Sequence, residues 1–387
     1  MNENNIFLFG FSIFYIQQFL QTTMFESLLP NVVFQVLRFI GVGIIVTKII
    51  LFGSRMKKYT LFFQIIIIIS FVLAYKMSTY NRLIYLCLIM IGTRNVNFRK
   101  LIKVYFYLSF FLTLGTIISS NIGIIENLQY FRAGKIRNSF GFSYPTECSA
   151  RIFYMIFYYI YMKMGKLRTI EYTCIIAIAF LTDLYTSSRL SLYIIVFAVT
   201  LTILYNIRIK NNFSISKFEE KFLSNCYLLI GTISVIVTWL YSENNVLLTG
   251  LDAALSGRLH WGKMGIKLYN LSLFGKEITM TGLAKGNIDN SNYFYMDCSY
   301  VNILLRYGTV VFVIIIVSMN YMCKKNIKNK NYLFVLIMFL VAISSVINEH
   351  LVDIAYNPFI LSILAFLPIE ESFSDDRKKY RGNVNAV

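Results

Sequence analysis

Apolar runs of membrane-crossing length recur from one end of the sequence to the other, and no polar block long enough to fold by itself separates them. In lipid every backbone N–H and C=O must find its partner inside the protein, which leaves helices or a closed barrel. The runs are continuously apolar for about 20 residues and lack the two-residue alternation of barrel strands, so they read as helices. They fall near 6–25, 31–52, 59–76, 80–93, 102–121, 150–165, 170–186, 188–207, 222–243, 299–322, 331–348 and 352–368. The expected fold is all-α: a polytopic integral membrane protein of about twelve transmembrane helices. Composition agrees, with 14% charged residues in a chain of 387 against roughly a quarter in soluble domains. One transmembrane domain is expected over 1–373, followed by a basic tail, 374–387.

A net charge of +18 would suggest nucleic acid in a soluble protein, but here the charge divides by loop, as orientation signals do. Arg55, Lys57 and Lys58, then Arg94, Arg99, Lys100 and Lys103, then Lys163, Lys166 and Arg168 fall on one side with Arg208, Lys210, Lys217 and Lys221, with Lys324, Lys325, Lys328 and Lys330, and with the tail. That richer side is expected to be cytoplasmic and to hold both termini. The long intervals 122–149 and 244–298, the second just before the tenth helix, then face outward. No nucleic-acid partner is expected. Six cysteines without a CxxC pair and two histidines give no metal-ligand spacing, so neither metal nor cofactor is expected. The cytoplasmic connections carry no Gly-rich phosphate loop and no Asp-x-Asp pair, which disfavours an enzyme fed by a cytoplasmic nucleotide. The start, MNENNIFLFG, lacks a basic region and cleavage site, so the first run is expected to remain as a helix.

Three outward segments each offer an arginine. In ALSGRLHWGKMGIKLYN, 254–270, helical spacing gathers Ser256, His260, Lys263, Lys267 and Asn270 on one stripe, suited to a bilayer surface. Arg258 projects to the other side with Gly262 and Gly265, where it needs an anion: a substrate, or a carboxylate such as Asp297 or Asp183. In TDLYTSSRLSLYII, 182–195, Ser187 or Ser188 is placed to cap the helix containing Leu190 to Leu204, with Arg189 in its first turn, an arrangement suited to anions; contact with lipid headgroups is the plainer alternative. In YFRAGKIRNSFGFSYPTECSARIF, 130–153, Arg132, Lys135 and Arg137 precede a tight turn and a helix starting around Thr146 to Ser149. Guanidinium forks suit phosphate oxygens. The outward charge is therefore expected to hold a phosphorylated, lipid-linked substrate, with Arg137, Arg189, Arg258, Ser188 and Lys263 as binding residues. Asp297, Glu349 and His350 are the acid–base candidates, with Asp353 beside them. A pairing of Asp297 with Arg306 and a capping role for the others are the structural alternatives; Glu147 and Asp183 rank lower.

The segments IRNSFGFSYPTECS (136–149), SSRLSLY (187–193), LSGRL (255–259), DCSYVNILLRYGTV (297–310) and NEHLVDIAYNPFIL (348–361), taken in order at outer helix ends, resemble the recurring motifs of Wzy-type polysaccharide polymerases in the O-antigen polymerase and ligase superfamily. The resemblance implies a metal-independent membrane glycosyltransferase in the cytoplasmic membrane of a bacterium. Such an enzyme joins oligosaccharide repeat units carried on undecaprenyl pyrophosphate at the outer face, lengthening a capsule, exopolysaccharide or O-antigen and releasing the lipid pyrophosphate. It also implies that Arg137, Arg189 and Arg258 hold the pyrophosphate-linked donor, and that a chain-length regulator and a flippase work beside the protein. Many ligase-like relatives carry a histidine ahead of the tenth helix; this chain has Asp297 there, and its histidine comes later, at His350. Two other readings stay open. A flippase or other transporter of lipid-linked oligosaccharide also has about a dozen spans, although no internal repeat is evident here; a membrane acyltransferase could use His350.

Overall fold

The computed structural model of the chain describes residues 2–53, 58–132, 134–210, 215–284 and 293–368. The expected tail, 374–387, and part of the second outer interval lie outside them. The helices are α1 (Glu3–Leu20), α2 (Phe25–Leu28), α3 (Asn31–Leu51), α4 (Lys58–Ser78), α5 (Arg82–Gly92), α6 (Phe98–Asn121), α7 (Pro145–Met162), α8 (Thr169–Thr186), α9 (Arg189–Lys210), α10 (Lys217–Ser224), α11 (Cys226–Leu240), α12 (Val246–Ala254), α13 (Arg258–Tyr269), α14 (Ser299–Arg306), α15 (Gly308–Lys328) and α16 (Tyr332–Ile347). A hairpin of β1 (Gln129–Arg132) and β2 (Lys135–Asn138) follows α6. Among the described residues α3, α6, α8, α9 and α15 are long and apolar enough to cross a membrane, and α10 with α11, bent by 61°, make a sixth if taken together. The chain is an all-α, multi-pass membrane protein.

The bundle's centre is aromatic. Phe7, Phe11, Phe14, Tyr15 and Phe19 of α1 are buried; Phe11 and Tyr15 meet Tyr105 of α6, which in turn meets Tyr158 of α7, and Phe14 meets Tyr85 of α5. Lipid tails are as apolar as leucine, so close packing and buried hydrogen bonds, more than water exclusion, hold such helices together. Gly10 and Gly41 let the backbones of α1 and α3 approach each other closely: a Cβ on Gly41 would lie 2.8 Å from the Phe14 backbone nitrogen. Tyr15 and Ser109 share a hydrogen bond of 2.5 Å in the same core.

Three expected helices are corrected. The run 299–322 breaks between α14 and α15 at Gly308, which has φ +89°. Residues 272–276 fill the break: Thr309 N donates to Ser272 O (3.0 Å), Val310 N to Leu273 O (3.1 Å) and Lys276 N to Arg306 O (3.3 Å). A Cβ at Gly308 would overlap the Leu273 carbonyl, so only glycine fits there. The segment 254–270 is interrupted by left-handed Ser256 and Gly257, and α13 starts at Arg258. Its first N–H groups are taken by Asp252, which accepts from Leu259 N at 2.7 Å and His260 N at 3.1 Å. Beyond the break Leu259, Gly262 and Gly265 form the buried face, as the helical spacing predicts for the two glycines.

The third correction is the last run, 352–368, which is not an α-helix. The chain leaves α16 at Asn348 and reaches Phe366 at the opposite end of the bundle, where Phe366 N donates to Val96 O (2.8 Å) and Phe98 N donates to Phe366 O (2.9 Å). Between them lie turns and a short 3-10 helix, Pro358–Ile363, with residues 350–362 buried throughout. Irregular backbone is tolerated at membrane depth only where protein surrounds it and meets its polar groups. Here Tyr105 OH donates to Ile354 O (3.0 Å), Asn357 Nδ2 to Leu351 O (2.8 Å), Ala355 N to the Asp353 carboxylate (2.9 Å), Arg151 to Ala355 O, and Tyr158 OH to Tyr356 O.

Candidate functional site

The end of the bundle where α6, α8 and α16 finish and α7 and α9 begin carries two adjoining clefts. The first, about 950 Å³ and open to solvent, is lined by Arg132, Lys135, Arg137, Arg189 and Arg258, with Thr146, Ser188, Ser256 and Asn348. The second, about 1180 Å³, is lined by Glu147 and Asp297, by Tyr144, Trp261, Tyr293 and Tyr295, and by the loop around Gly282. Arg132, Thr146, Ser256 and Arg258 line both and form the shared wall.

Local sequence explains how the cations gather. In the hairpin, Tyr130 pairs with Arg137 and Arg132 with Lys135. Paired residues share a face, so these four lie on one side and the Phe131–Ile136 pair, both exposed, on the other. Phe140 and Gly141, both at positive φ, turn the chain into α7, which opens on Pro145 at its first position. Ser187, left-handed at the end of α8, brings Ser188 and Arg189 back to the same place.

Arg137 is 2% exposed. Its Nε donates to Thr186 O at 2.8 Å and its Nη1 to Tyr144 OH at 3.3 Å, and the guanidinium lies 5.4 Å from the Tyr144 ring centroid. Burial, reinforced by the Arg132 and Arg258 charges and partly offset by Tyr144, pushes its pKa down. An arginine keeps its proton regardless, so the site holds a desolvated cation that an arriving anion would stabilise. None of Arg132, Lys135, Arg137 and Arg189 has a carboxylate partner among the described residues. Asn348 adds a buried Nδ2 without a hydrogen bond.

Arg258 joins the two clefts. Its Nε donates to Ile347 O (2.7 Å), its Nη1 to Leu255 O (2.8 Å), and its Nη2 lies 3.4 Å from Asp297 Oδ2. Of the two carboxylates weighed from sequence as its partner, Asp297 is the one in place, and Arg306 instead stacks 4.0 Å from the Tyr80 ring centroid. Asp297 keeps 36% of its side chain exposed. Burial and the nearby Glu349 and Glu147 charges hold its pKa above the ordinary aspartate range, Arg258 pulling the other way.

The remaining expected residues divide. Ser188 lines the cationic cleft. Lys263 does not: it donates to Trp239 O, 5.7 Å from that indole ring, away from both clefts. Glu349 lies behind the second cleft with both oxygens engaged, by Tyr295 OH and by Asn302 Nδ2 at 3.0 Å. His350 is buried, stacked on Tyr356 with ring centroids 3.8 Å apart. Asp353 pairs with Arg82 at 3.3 Å inside the bundle.

Sequence reasoning ranked one group low, Glu147, and passed over another, Arg151. Glu147, in the first turn of α7, lines the second cleft. Arg151, one turn deeper and fully buried, lies 3.7 Å from the Tyr356 ring centroid and 4.6 Å from that of Phe19, and hydrogen-bonds Tyr15 OH (3.3 Å) and Thr22 Oγ1 (3.1 Å). The signal available was spacing: Glu147 and Arg151 are four residues apart on one helix face. No group of histidine, cysteine, aspartate and glutamate side chains among the described residues could hold a metal ion.

Compared with family models, curated proteins and solved structures, the chain finds no match.

Proposed function

We propose that the protein is a polymerase of lipid-linked glycan repeat units, working at the outer face of a bacterial cytoplasmic membrane. One observation carries the reading: a cation-lined cleft with no carboxylate among the described residues that line it shares Arg258 with a cleft that has both carboxylates and aromatic side chains. The first suits the pyrophosphate of an undecaprenyl-linked donor, since arginine forks match phosphate oxygens. The second suits a sugar acceptor, because Trp261, Tyr293 and Tyr295 offer apolar ring faces and Glu147 and Asp297 offer proton acceptors. Attack by an acceptor hydroxyl on the donor's anomeric carbon would expel the lipid pyrophosphate. Arginines already in place would stabilise the charge that grows on it. The resemblance to Wzy-type polymerases supports the same reading, and would count α14 with α15, and the buried segment 348–366, among about twelve crossings. The partners would be the lipid-linked units, a flippase that delivers them and a chain-length regulator.

Transport of the lipid-linked unit is a second reading, favoured by the non-helical last crossing, since broken crossings commonly line transport paths. Here, however, the polar groups of that crossing are turned on one another and on the bundle. Loss of the gene in its host separates the two. Polymerisation predicts that single lipid-linked units collect on the outer leaflet while long glycan disappears; units trapped on the cytoplasmic leaflet would establish transport instead.

A further inference from the structure

We propose that Glu147 is the carboxylate that takes the acceptor's proton, with Tyr356 and His350 as its positioning residues. The assignment rests on the polymerase reading and names the base that the motifs leave open.

Each carboxylate at this end of the bundle has a distinct set of partners. Glu349 has both oxygens occupied, and Asp297 is drawn to Arg258. Glu147 lines the cleft with 23% of its side chain exposed. Its Oε2 accepts from Tyr356 OH, and His350 Nε2 lies 4.0 Å from the same oxygen. Its Oε1 has no hydrogen bond among the described residues. The Tyr356 ring is held by His350, with centroids 3.8 Å apart at 14°, and by the Arg151 guanidinium at 3.7 Å. Two groups so close to one ring must take opposite faces. Arg151 is in turn fixed by Ala355 O, Tyr15 and Thr22. A packed stack thus sets the rotamer of one carboxylate and leaves one of its oxygens free in the cleft that borders Arg258. His350 sits behind this carboxylate with a buried, unpartnered Nδ1, and so acts through Glu147.

In the step, the acceptor oxygen forms a bond to the donor's anomeric carbon as its proton passes to Glu147 Oε1. The bond from that carbon to the phosphate oxygen breaks, and its electron pair stays on the pyrophosphate beside Arg258. Glu147 then returns its proton to solvent.

The test uses the full chain reconstituted in lipid vesicles and supplied with the lipid-linked oligosaccharide extracted from cells lacking the gene. Glu147→Gln is expected to lower kcat by about 100-fold or more, the usual weight of a general base, with the donor KM within a few-fold of wild type and normal protein in the membrane. Glu147→Asp should keep part of the activity. Tyr356→Phe removes a hydrogen bond to the charged carboxylate, so the acid limb of the pH–rate profile should move to higher pH. The titratable and charged groups facing Glu147 or lining the same cleft are Tyr356, His350, Tyr295, Asp297, Arg258, Arg132, Tyr144 and Tyr293, so an equal displacement of the limb by Asp297→Asn with none by Tyr356→Phe would overturn the assignment. Wild-type turnover in Glu147→Gln would overturn it too while leaving the polymerase reading intact. Failure of the wild-type protein to join any units would overturn both.

Discussion

Arg258 lines the cationic cleft and is the ion-pair partner of Asp297, and on the polymerase reading the two roles predict different consequences of its loss. In Arg258→Ala the charge that would face the expelled pyrophosphate disappears. Removing one such donor costs about 2.7–4 kcal/mol of transition-state stabilisation, or roughly 10²–10³ in turnover. The same change removes bonds to Ile347 O and Leu255 O and leaves Asp297 unpaired, which destabilises the fold. Arg258→Ala combined with Asp297→Asn separates the two effects. Removing both partners relieves the stranded charge, so the thermal midpoint should recover toward wild type, whereas turnover on lipid-linked units should stay about 10²-fold or more down. Arg258→Lys keeps the charge without the fork and should fall between. The assay is release of lipid pyrophosphate per reconstituted protein, with thermal unfolding read in parallel. Turnover restored in the double variant, or Arg258→Ala within about threefold of wild type, would show that Arg258 serves Asp297 alone.

Further outcomes are expected. Arg137→Met removes a cation buried without a carboxylate partner; the thermal midpoint should hold or rise, as when buried charge is replaced by apolar volume, while the donor KM increases at least tenfold in turnover assays. Asp297, with a pKa raised above 3.8 in the folded protein, binds more protons folded than unfolded, so it should lower stability as pH rises from 3.8 through its raised value; Asp297→Asn should flatten that part of a plot of thermal midpoint against pH. Gly308→Ala meets a positive φ and the Leu273 carbonyl and should cost more than the ~1–2 kcal/mol of left-handed backbone alone, read as a lowered unfolding temperature. Lys263→Ala, facing Trp239, should change turnover by less than about threefold.

The sequence made the helices legible wherever a run was long and continuously apolar, as in α3, α6 and α9. It misled where hydrophobicity had another cause. Residues 352–362 are apolar because protein encloses them, and enclosed irregular chain has the same composition as a membrane helix. Asn348, Asp353, Asn357 and Pro358 carried the contrary signal. The breaks at Gly257 and Gly308 were present as glycines, but their need for positive φ depends on residues 272–276 and on Asp252, whose approach only the folded chain reveals. The same limit shaped the site. Arg137, Arg189 and Arg258 were visible one by one as outward arginines, and they line one cleft. Glu147 gained its place from Tyr356, more than 200 residues away in the chain, and Lys263 lost its place because, on α13, it projects roughly 140° around the helix from Arg258, toward Trp239.

Purified full-length protein in vesicles, given only the lipid-linked oligosaccharide that accumulates when the gene is lost, tests the central claim most directly. Glycan of several repeat units together with free lipid pyrophosphate, formed without added metal or nucleotide, is the predicted product. Units that cross the bilayer and remain single would contradict it.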